Sequence, residues 1–499
     1  MLRVLPLWLA AVLAALSGLA LTASFPALGI WPLAFVAVFL LGWALLGRSP
    51  VTALFVGLVA GLTFWLTLIN WLTLYLGPVP WLALGILQAL FFAFAAAAMS
   101  VVLNRGAERW ASSWGAYVLV PLLSSAVWVT RELITSNFPY GGFSWGLLSQ
   151  SQSESPYASV SAWLGTYGLT FVIVTIAFAA LQVVRRGPEL KPLLAVAGLA
   201  FFLAFIPVPH VPSVGTMTVL AVQGNSKAGL FDDRTSGDIL TDHVNGTLAF
   251  AGQHVDAVVW PENAADLNPL QVRYSAQVLD KVSTLLNAPI VTGAITRDSA
   301  GTYFNSSLVW QAGKGASAQF DKIHPVPFAE YMPDRPFWRA LAPDLVDLVG
   351  YDYGQGSRPN VVDVSGVPVG LAICFDISYE DQARQAIADG AQIIFAQTNN
   401  ADFGQTAENV QQLAIARLRA IETGRTVVNI STVGTSAIIG PTGSSLATVP
   451  PYQPGAMLTS VPLATSITPA MEWGKMYEVI IITIAVVGLL MLFVRRRKP

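Results

Sequence analysis

The chain has one cysteine, Cys374, at the end of the apolar run Gly370-Leu371-Ala372-Ile373 and just ahead of Phe375-Asp376. A thiol is mostly protonated at neutral pH, so it becomes a nucleophile only with a base within hydrogen-bond reach; a carboxylate in a partly desolvated pocket can serve. Two other apolar runs end on a reactive group: Val258-Val259-Trp260-Pro261-Glu262 and Gln319-Phe320-Asp321-Lys322. Side chains just beyond strand ends are where α/β sheets commonly present ligands. Glu262 is therefore the candidate base. Thiol attack on a carbonyl makes an oxyanion, for which Lys322 and the backbone N–H of Phe375 are the candidate donors; one such donor is worth roughly a hundredfold to a thousandfold in rate. Plainer readings stay open here, because a lone cysteine in an apolar strand is more often small core filler. Lysine and glutamate after strands can likewise form a structural ion pair.

Glu330 lies eight residues beyond Lys322 in the proline-braced segment Pro327-Phe328-Ala329-Glu330-Tyr331-Met332-Pro333. A turn there brings a carboxylate back to orient the ammonium or to hold the arm; an ordinary solvated glutamate is the alternative. Residues 328–358 lack a clear period and carry Phe337, Trp338 and Leu341, which reads as a long functional loop or lid rather than framework. Such side chains either dip into lipid or build a core. The four histidines, His210, His243, His254 and His324, lack metal-ligand spacing, which favours surface or hydrogen-bonding roles. Asn245, Asn305 and Asn429 begin glycosylation sequons, which recur by chance. A single cysteine also excludes an intrachain disulfide and a cysteine-rich metal site.

These groups need a scaffold. From about residue 216 to 474 short β-branched runs alternate with turns and amphipathic segments, an α/β pattern. The predicted strands are 217–222, 257–260, 290–295, 306–311, 318–322, 367–373, 392–397 and 426–431. Two helices are predicted. One spans 379–389 with Ser378 as N-cap and Gly390 as its stop; the other spans 408–422, with Arg417 and Arg419 toward its C-terminus to suit the helix dipole. No internal repeat stands out.

Outside that stretch the composition changes. Of 499 residues, 54% are hydrophobic and 11% charged, against about 25% charged in soluble domains. Lys plus Arg (27) and Asp plus Glu (29) nearly cancel, so the basic footprint of a nucleic-acid binder is missing. Runs of about 20 apolar residues, enough to cross a bilayer, occur at 4–21, 29–46, 51–76, 81–103, 117–130, 160–184, 192–206 and 477–494. Arg131 and Glu132 cut the fifth short, and the first has a signal peptide as its alternative. Loops on one side hold Arg3, Arg48, Arg105, Arg109, Arg185, Arg186, Lys191 and the basic tail 495–498, whereas the other side holds only Arg131. By the positive-inside rule both termini are cytoplasmic and the soluble unit faces out. Asn70 and Gln88 inside spans line a path or bond between helices. In the outer loop 132–157, Phe138, Tyr140, Phe143 and Trp145 either anchor the bundle at the interface or line a lipid portal.

The ordered set Pro261-Glu262, Asp321-Lys322-Ile323-His324 running into 327–333, and Ile373-Cys374-Phe375-Asp376 resembles the Glu-Lys-Cys core of the nitrilase, or carbon-nitrogen hydrolase, superfamily. With the flanking spans it is similar to the apolipoprotein N-acyltransferase family. Further matching pieces are Val222-Gln223-Gly224, Thr398-Asn399 with Ala401 and Phe403-Gly404, residues 416–425, and Ile439-Gly440-Pro441-Thr442-Gly443. Departures from the family pattern are Asp376 in place of a glutamate, Asn400-Ala401-Asp402 in place of Asp-Ala-Trp, and Phe231 in place of a tryptophan.

The resemblance implies an eight-span α-helical membrane domain plus an extracytoplasmic nitrilase-like αββα sandwich, divided as 1–210, 211–475 and 476–499. It implies a multi-pass protein of the bacterial cytoplasmic membrane whose catalytic domain faces outward. The implied reaction moves an acyl chain from a membrane phospholipid, through a Cys374 thioester, to the α-amino group of a diacylated apolipoprotein. It has ping-pong order and needs no cofactor. Independently of the resemblance, the cysteine and histidine pattern offers no metal site, and closed spans with a self-contained domain require no partner, which reads as a monomer. Glu262, Lys322 and Cys374 would be catalytic, with Phe375, Glu330 and Asp376 around them. Phe231, Tyr331, Phe337, Trp338 and Asn399 are candidate substrate contacts. The alternatives are a membrane-tethered amidase acting on small amides and a catalytically dead binding module.

Overall fold

The computed structural model describes residues 4–110, 115–187, 189–229 and 232–494. It divides into two compact units, Met1–Val208 with Pro469–Pro499, and Pro209–Thr468.

Among the described residues of the first unit, six helices are long and apolar enough to cross a membrane: Leu7–Ser24, Pro50–Leu68, Pro78–Arg109, Gly115–Thr135, Pro156–Arg186 and Pro469–Phe493. Leu33–Leu45 and Leu190–Ala204 are apolar but shorter, about 20 Å long at 1.5 Å per residue against a hydrocarbon core of about 30 Å. Small residues let the helices approach. A Cβ on Gly57 would fall 2.4 Å from the Ala96 Cβ, and one on Gly61 would fall 2.8 Å from the Ala89 Cα, the close backbone contact that membrane helices use.

The expectation that Arg131 and Glu132 end a span is overturned. The helix runs on to Thr135 and both side chains are buried, because each finds partners. Glu132 accepts from Arg131 at 3.1 Å, from the Trp128 indole at 2.9 Å and from the Leu148 N–H at 3.0 Å, while Arg131 also lies over the rings of Phe92 and Trp128. Arg131 is therefore a helix residue, not a loop residue. The following segment is not a plain outer loop either. Residues 144–153 are buried and include a 3-10 turn, Leu148–Gln152. Its aromatics divide: Phe143 and Trp145 pack against Trp65 and Trp71, whereas Phe138 is exposed. Gln88 is buried and Asn70 is exposed.

In the second unit the period-two pattern sorts side chains onto two faces. Strand β1 (Ser213–Gln223) sends Val219 and Ala221 into one core and Leu220 and Val222 into another. Strand β2 (Ala257–Val259) does the same with Val259 and Val258. The remaining strands are β3 (Ile290–Arg297), β4 (Tyr303–Gln311), β5 (Gly315–Asp321), β6 (Val361–Val364), β7 (Val367–Ile373), β8 (Ile393–Thr398), β9 (Val427–Ser431), β10 (Ser436–Ile439), β11 (Ser445–Val449) and β12 (Gly455–Ala464). They form two six-stranded sheets, ordered β12-β1-β2-β3-β4-β5 and β11-β10-β9-β8-β7-β6. The core between the sheets joins Val219, Val259, Val291 and Phe320 of the first to Leu371, Ile373, Phe395 and Val428 of the second. The outer core of the first sheet also takes in Leu279, Val282 and Leu286 of the helix Arg273–Leu286.

All eight predicted strands form, within a few residues of the expected ends. The helices Asp238–Leu248 and Arg273–Leu286 and the strands β6, β10, β11 and β12 lie in stretches for which the sequence predicted no element. Ser378 does not cap the helix Glu380–Ala388; its hydroxyl donates to the Phe375 carbonyl at 2.7 Å. Nor do Arg417 and Arg419 serve the dipole of the helix Glu408–Thr423. Arg419 is buried, paired with Glu422 and bonded to the carbonyls of Ile377 and Ser378, while Arg417 reaches the Gly443 carbonyl. The arm beyond Lys322 is also more ordered than a loop, with short helices at Arg335–Leu341 and Pro343–Val346.

Candidate active site

Glu262 follows β2 and Lys322 follows β5. Since β2 and β3 are parallel and β3-β4-β5 alternate, both residues leave the same edge of the first sheet. Glu262 reaches its place because the chain crosses β3 closely at Gly293. A Cβ there would lie 2.6 Å from the Glu262 Cα and 2.4 Å from the Asn263 nitrogen, so only glycine fits. Lys322 is held by its own backbone, whose N–H donates to the Asn305 carbonyl at 2.8 Å. Cys374 comes from the second sheet at the end of β7, with a left-handed φ of 51° that non-glycine residues rarely adopt. Strain of that kind gathers at functional sites.

The three side chains meet. The Lys322 Nζ lies 2.8 Å from Glu330 Oε2 and 3.5 Å from Glu262 Oε1, and the Cys374 thiol is near enough to feel the charge of both Glu262 and Lys322. Glu330 returns to the lysine through a tight turn in which the N–H groups of Ala329 and Glu330 both bond the Val326 carbonyl and Phe328 takes a φ of 64°. Glu330 Oε2 also accepts from the Val326 N–H at 2.7 Å. Asn305 went unnoticed in the sequence except as a sequon. Its Nδ2 donates to Glu262 at 2.6 Å and to Glu330 at 2.9 Å, so one amide spaces the two carboxylates. The signal was its place on a strand two residues before the register partner of Phe320, which is too faint to single out.

Electrostatics follow from burial. Lys322 is 2% exposed; burial opposes its charge, but Glu330 and then Glu262 outweigh that and raise its pKa well above the usual lysine value. Burial raises the Glu262 carboxyl, with Lys322 pulling the other way. Burial, and then the negative charge of Glu262, raise the Cys374 thiol well above its ordinary value. The resting thiol is therefore protonated, with the Glu262 carboxyl and a fixed ammonium close by. Such a set can take a proton from sulfur as a carbon–sulfur bond forms.

Around it, Asp376 ties the two sheets together. Its Oδ1 accepts from the His324 N–H at 2.9 Å and its Oδ2 from the Ile373 N–H at 3.2 Å. His324 stacks on Tyr379 at 3.7 Å. The Phe375 ring is buried against Tyr379. Asn399 bridges loops, donating to the Ala228 carbonyl and accepting from Thr432 and the Ala401 N–H. Tyr331 closes the Glu330 turn through its carbonyl. Phe337 is 58% exposed and Leu341 66%, but Trp338 turns inward against Phe328, joining a small core of Met332, Val346 and Val349. Phe231 lies outside the described residues. His243 is buried and held neutral, its pKa lowered to about 4 by burial. Among the described residues, no three His, Cys, Asp or Glu side chains are grouped to hold a metal.

Comparisons bear on the whole chain. Residues 17–179 match the family described as the apolipoprotein N-acyltransferase N-terminal domain, and residues 238–468 match the carbon-nitrogen hydrolase family. The chain is 32% identical to the apolipoprotein N-acyltransferase of Mycolicibacterium smegmatis, covering 95% of this chain and 83% of that one. It is 27% identical to that of Shewanella oneidensis, covering 98% and 96%. Among solved structures, an amidase from Nesterenkonia sp. is similar at 16% identity and a TM-score of 0.37, covering 51% of this chain and 94% of that one. A membrane domain and a hydrolase domain in the same order, and an identity of 32% sustained across 95% of the sequence, place the chain in the apolipoprotein N-acyltransferase family.

Proposed function

We propose that the chain transfers an acyl group from a membrane phospholipid to the α-amino group of the diacylglyceryl-cysteine at a lipoprotein N-terminus. The observation that carries the reading is the convergence of Cys374 with the buried Glu262–Lys322 pair, within a chain whose curated relatives bear this activity in their names. Cys374 Sγ attacks the ester carbonyl while Glu262 takes the thiol proton, and Lys322 with the Phe375 N–H faces the oxyanion. The ester C–O bond then breaks, and Glu262 returns the proton to the departing alcohol. The amine next attacks the thioester and gives a proton to Glu262 as the C–S bond breaks, which regenerates the thiol. The order is ping-pong and the donor leaves before the acceptor reacts. Confinement of both lipid substrates to one bilayer raises their local concentration and limits their orientations. An amidase using water would have no use for the membrane unit.

The same reading has all eight apolar helices crossing the membrane, the enzyme acting as a monomer, both termini inside and the soluble unit outside. With Arg131 assigned to a helix, the intervening loops 25–32, 69–77 and 136–155 carry no lysine or arginine, whereas Arg48, Arg105, Arg109, Arg185 and Arg186 flank the opposite ends. That alternation requires the short helix Leu33–Leu45 to cross. The test of function is mass spectrometry of a lipoprotein's N-terminal peptide from cells with and without the enzyme. Triacylation that persists unchanged in its absence, with no other acyltransferase present, would rule the function out.

The arm supplies a second expectation. Phe337 and Leu341 are exposed on one short helix whose base is fixed by Arg335 on Asp352 at 2.6 Å. Apolar side chains placed in lipid gain on the order of 25 cal/mol per Å² buried. Phe337→Ser with Leu341→Ser should slow acylation by bilayer phospholipid about tenfold or more and leave acylation by a short, water-soluble ester nearly unchanged. Equal slowing with both donors, together with a lower melting temperature, would make these residues part of the fold.

A further inference from the structure

Cys374 also meets the helix Glu408–Thr423. Gln412 Nε2 lies 3.6 Å from the Cys374 sulfur, and its amide is not free to turn. Gln412 Oε1 accepts from Asn400 Nδ2 at 2.8 Å, and the same nitrogen donates to Glu408 Oε2 at 2.8 Å. Asn400 is fixed in turn, because its Oδ1 accepts from the Ser431 hydroxyl at 2.6 Å. Glu408 and Gln412 are one helical turn apart, and all three side chains are buried. The chain of contacts runs Glu408, Asn400, Gln412, sulfur, and in this orientation both the oxygen and the nitrogen of each amide are bonded.

We infer that Gln412 is a further catalytic residue, donating an N–H to the Cys374 sulfur as it becomes a thiolate, and that Asn400 and Glu408 are positioning residues that aim it. A hydrogen bond to the charged form of a group favours that form. The donor opposes what surrounds the sulfur, since burial and the charges of Glu262 and Glu330, joined by Glu408 once it ionises, favour the neutral thiol, with Lys322 alone on the other side. Burial raises Glu408 itself to about 8, so near neutral pH it is largely a carboxylic acid that still accepts from Asn400 without adding a full negative charge beside the nucleophile. The role rests on the proposal that Cys374 is the nucleophile.

The sole cysteine makes the test direct, since thiol alkylation of the full-length protein in lipid nanodiscs reads Cys374 alone. Iodoacetamide rates followed by intact mass between pH 6 and 10 report the thiolate fraction along the rising limb of the thiol's titration. Gln412→Leu should move that rate profile upward by about one pH unit, about tenfold slower alkylation at neutral pH. Acyl transfer should fall by a similar factor with KM for phospholipid unchanged. Gln412→Glu, of the same size but presenting an acceptor, should shift the profile the same way, and it decides the matter if the leucine variant does not fold. Glu408→Leu should reproduce the shift, and Glu408→Gln, which keeps an acceptor for Asn400, should recover most of it. A profile for both Gln412 variants superimposable on wild type overturns the inference. Transfer that survives in Cys374→Ala would instead overturn the nucleophile assignment while leaving the alkylation result intact.

Discussion

Cys374→Ala should abolish acyl transfer, and Cys374→Ser should leave almost none, a fall of at least about four orders of magnitude. A serine hydroxyl is far less acidic than a thiol, and Glu262, although raised by burial, remains too weak a base to ionise it. Both variants should fold, because the side chain is small and lies at the end of β7 rather than inside the inter-sheet core. Incubation of the wild type with phospholipid alone should add one acyl mass that hydroxylamine removes, and peptide mapping should find it on Cys374. An adduct on any other side chain would end this mechanism.

Lys322→Ala should be less severe for chemistry and much worse for stability. On the proposed mechanism, loss of the ammonium removes an oxyanion donor, about a hundredfold to a thousandfold in rate. It also strands Glu330 and Glu262, both bonded to it in the wild type, and breaking a buried pair costs about 3–5 kcal/mol. The pH dependence has a definite sign. Burial already raises the folded pKa of Glu262, and without Lys322 it rises further, so the stability of the variant is greatest below the ordinary carboxylate range and falls as pH climbs through the raised value. The melting temperature of Lys322→Ala should lie closest to wild type in acid and diverge toward neutral pH. Acyl-enzyme formation at the wild-type rate would remove Lys322 from the catalytic set.

Much of the fold was legible because the strands of a two-sheet core are short apolar runs bounded by turns, and every run read as a strand is one. The missed strands have a reason. β10 and β11 hold Ser436 to Val449 with glycine and serine in between, and β11 is largely exposed, so neither gives a strong hydrophobic pattern. The helix Asp238–Leu248 contains Thr, Val, Asn and Gly, which weaken helix propensity. At the site, the end-of-strand positions of Glu262, Lys322 and Cys374 were visible in sequence. Asn305 and Gln412 were not, because their importance lies wholly in what faces them across 43 and 38 residues of chain. Arg131 misled for the opposite reason: a charge inside an apolar run signals an end only when nothing nearby can satisfy it, and the Glu132, Trp128 and Phe92 partners are invisible until the helices pack.

Glu262 and Lys322 leave one sheet and Cys374 leaves the other, so on the proposed mechanism the thickness of the aliphatic filling between the sheets is also a setting of the reaction. Two packed sheets stand about 10 Å apart, a gap held open by Val259, Phe320, Ile373 and their neighbours, whereas proton transfer from sulfur tolerates displacements far smaller than a methyl group. A conservative trim at this seam would act like turning a screw on a pair of calipers. Turnover would register the closing of the jaws well before thermal denaturation noticed any loss of material, and a compensating enlargement on the facing sheet would reset the instrument without touching a single reacting atom.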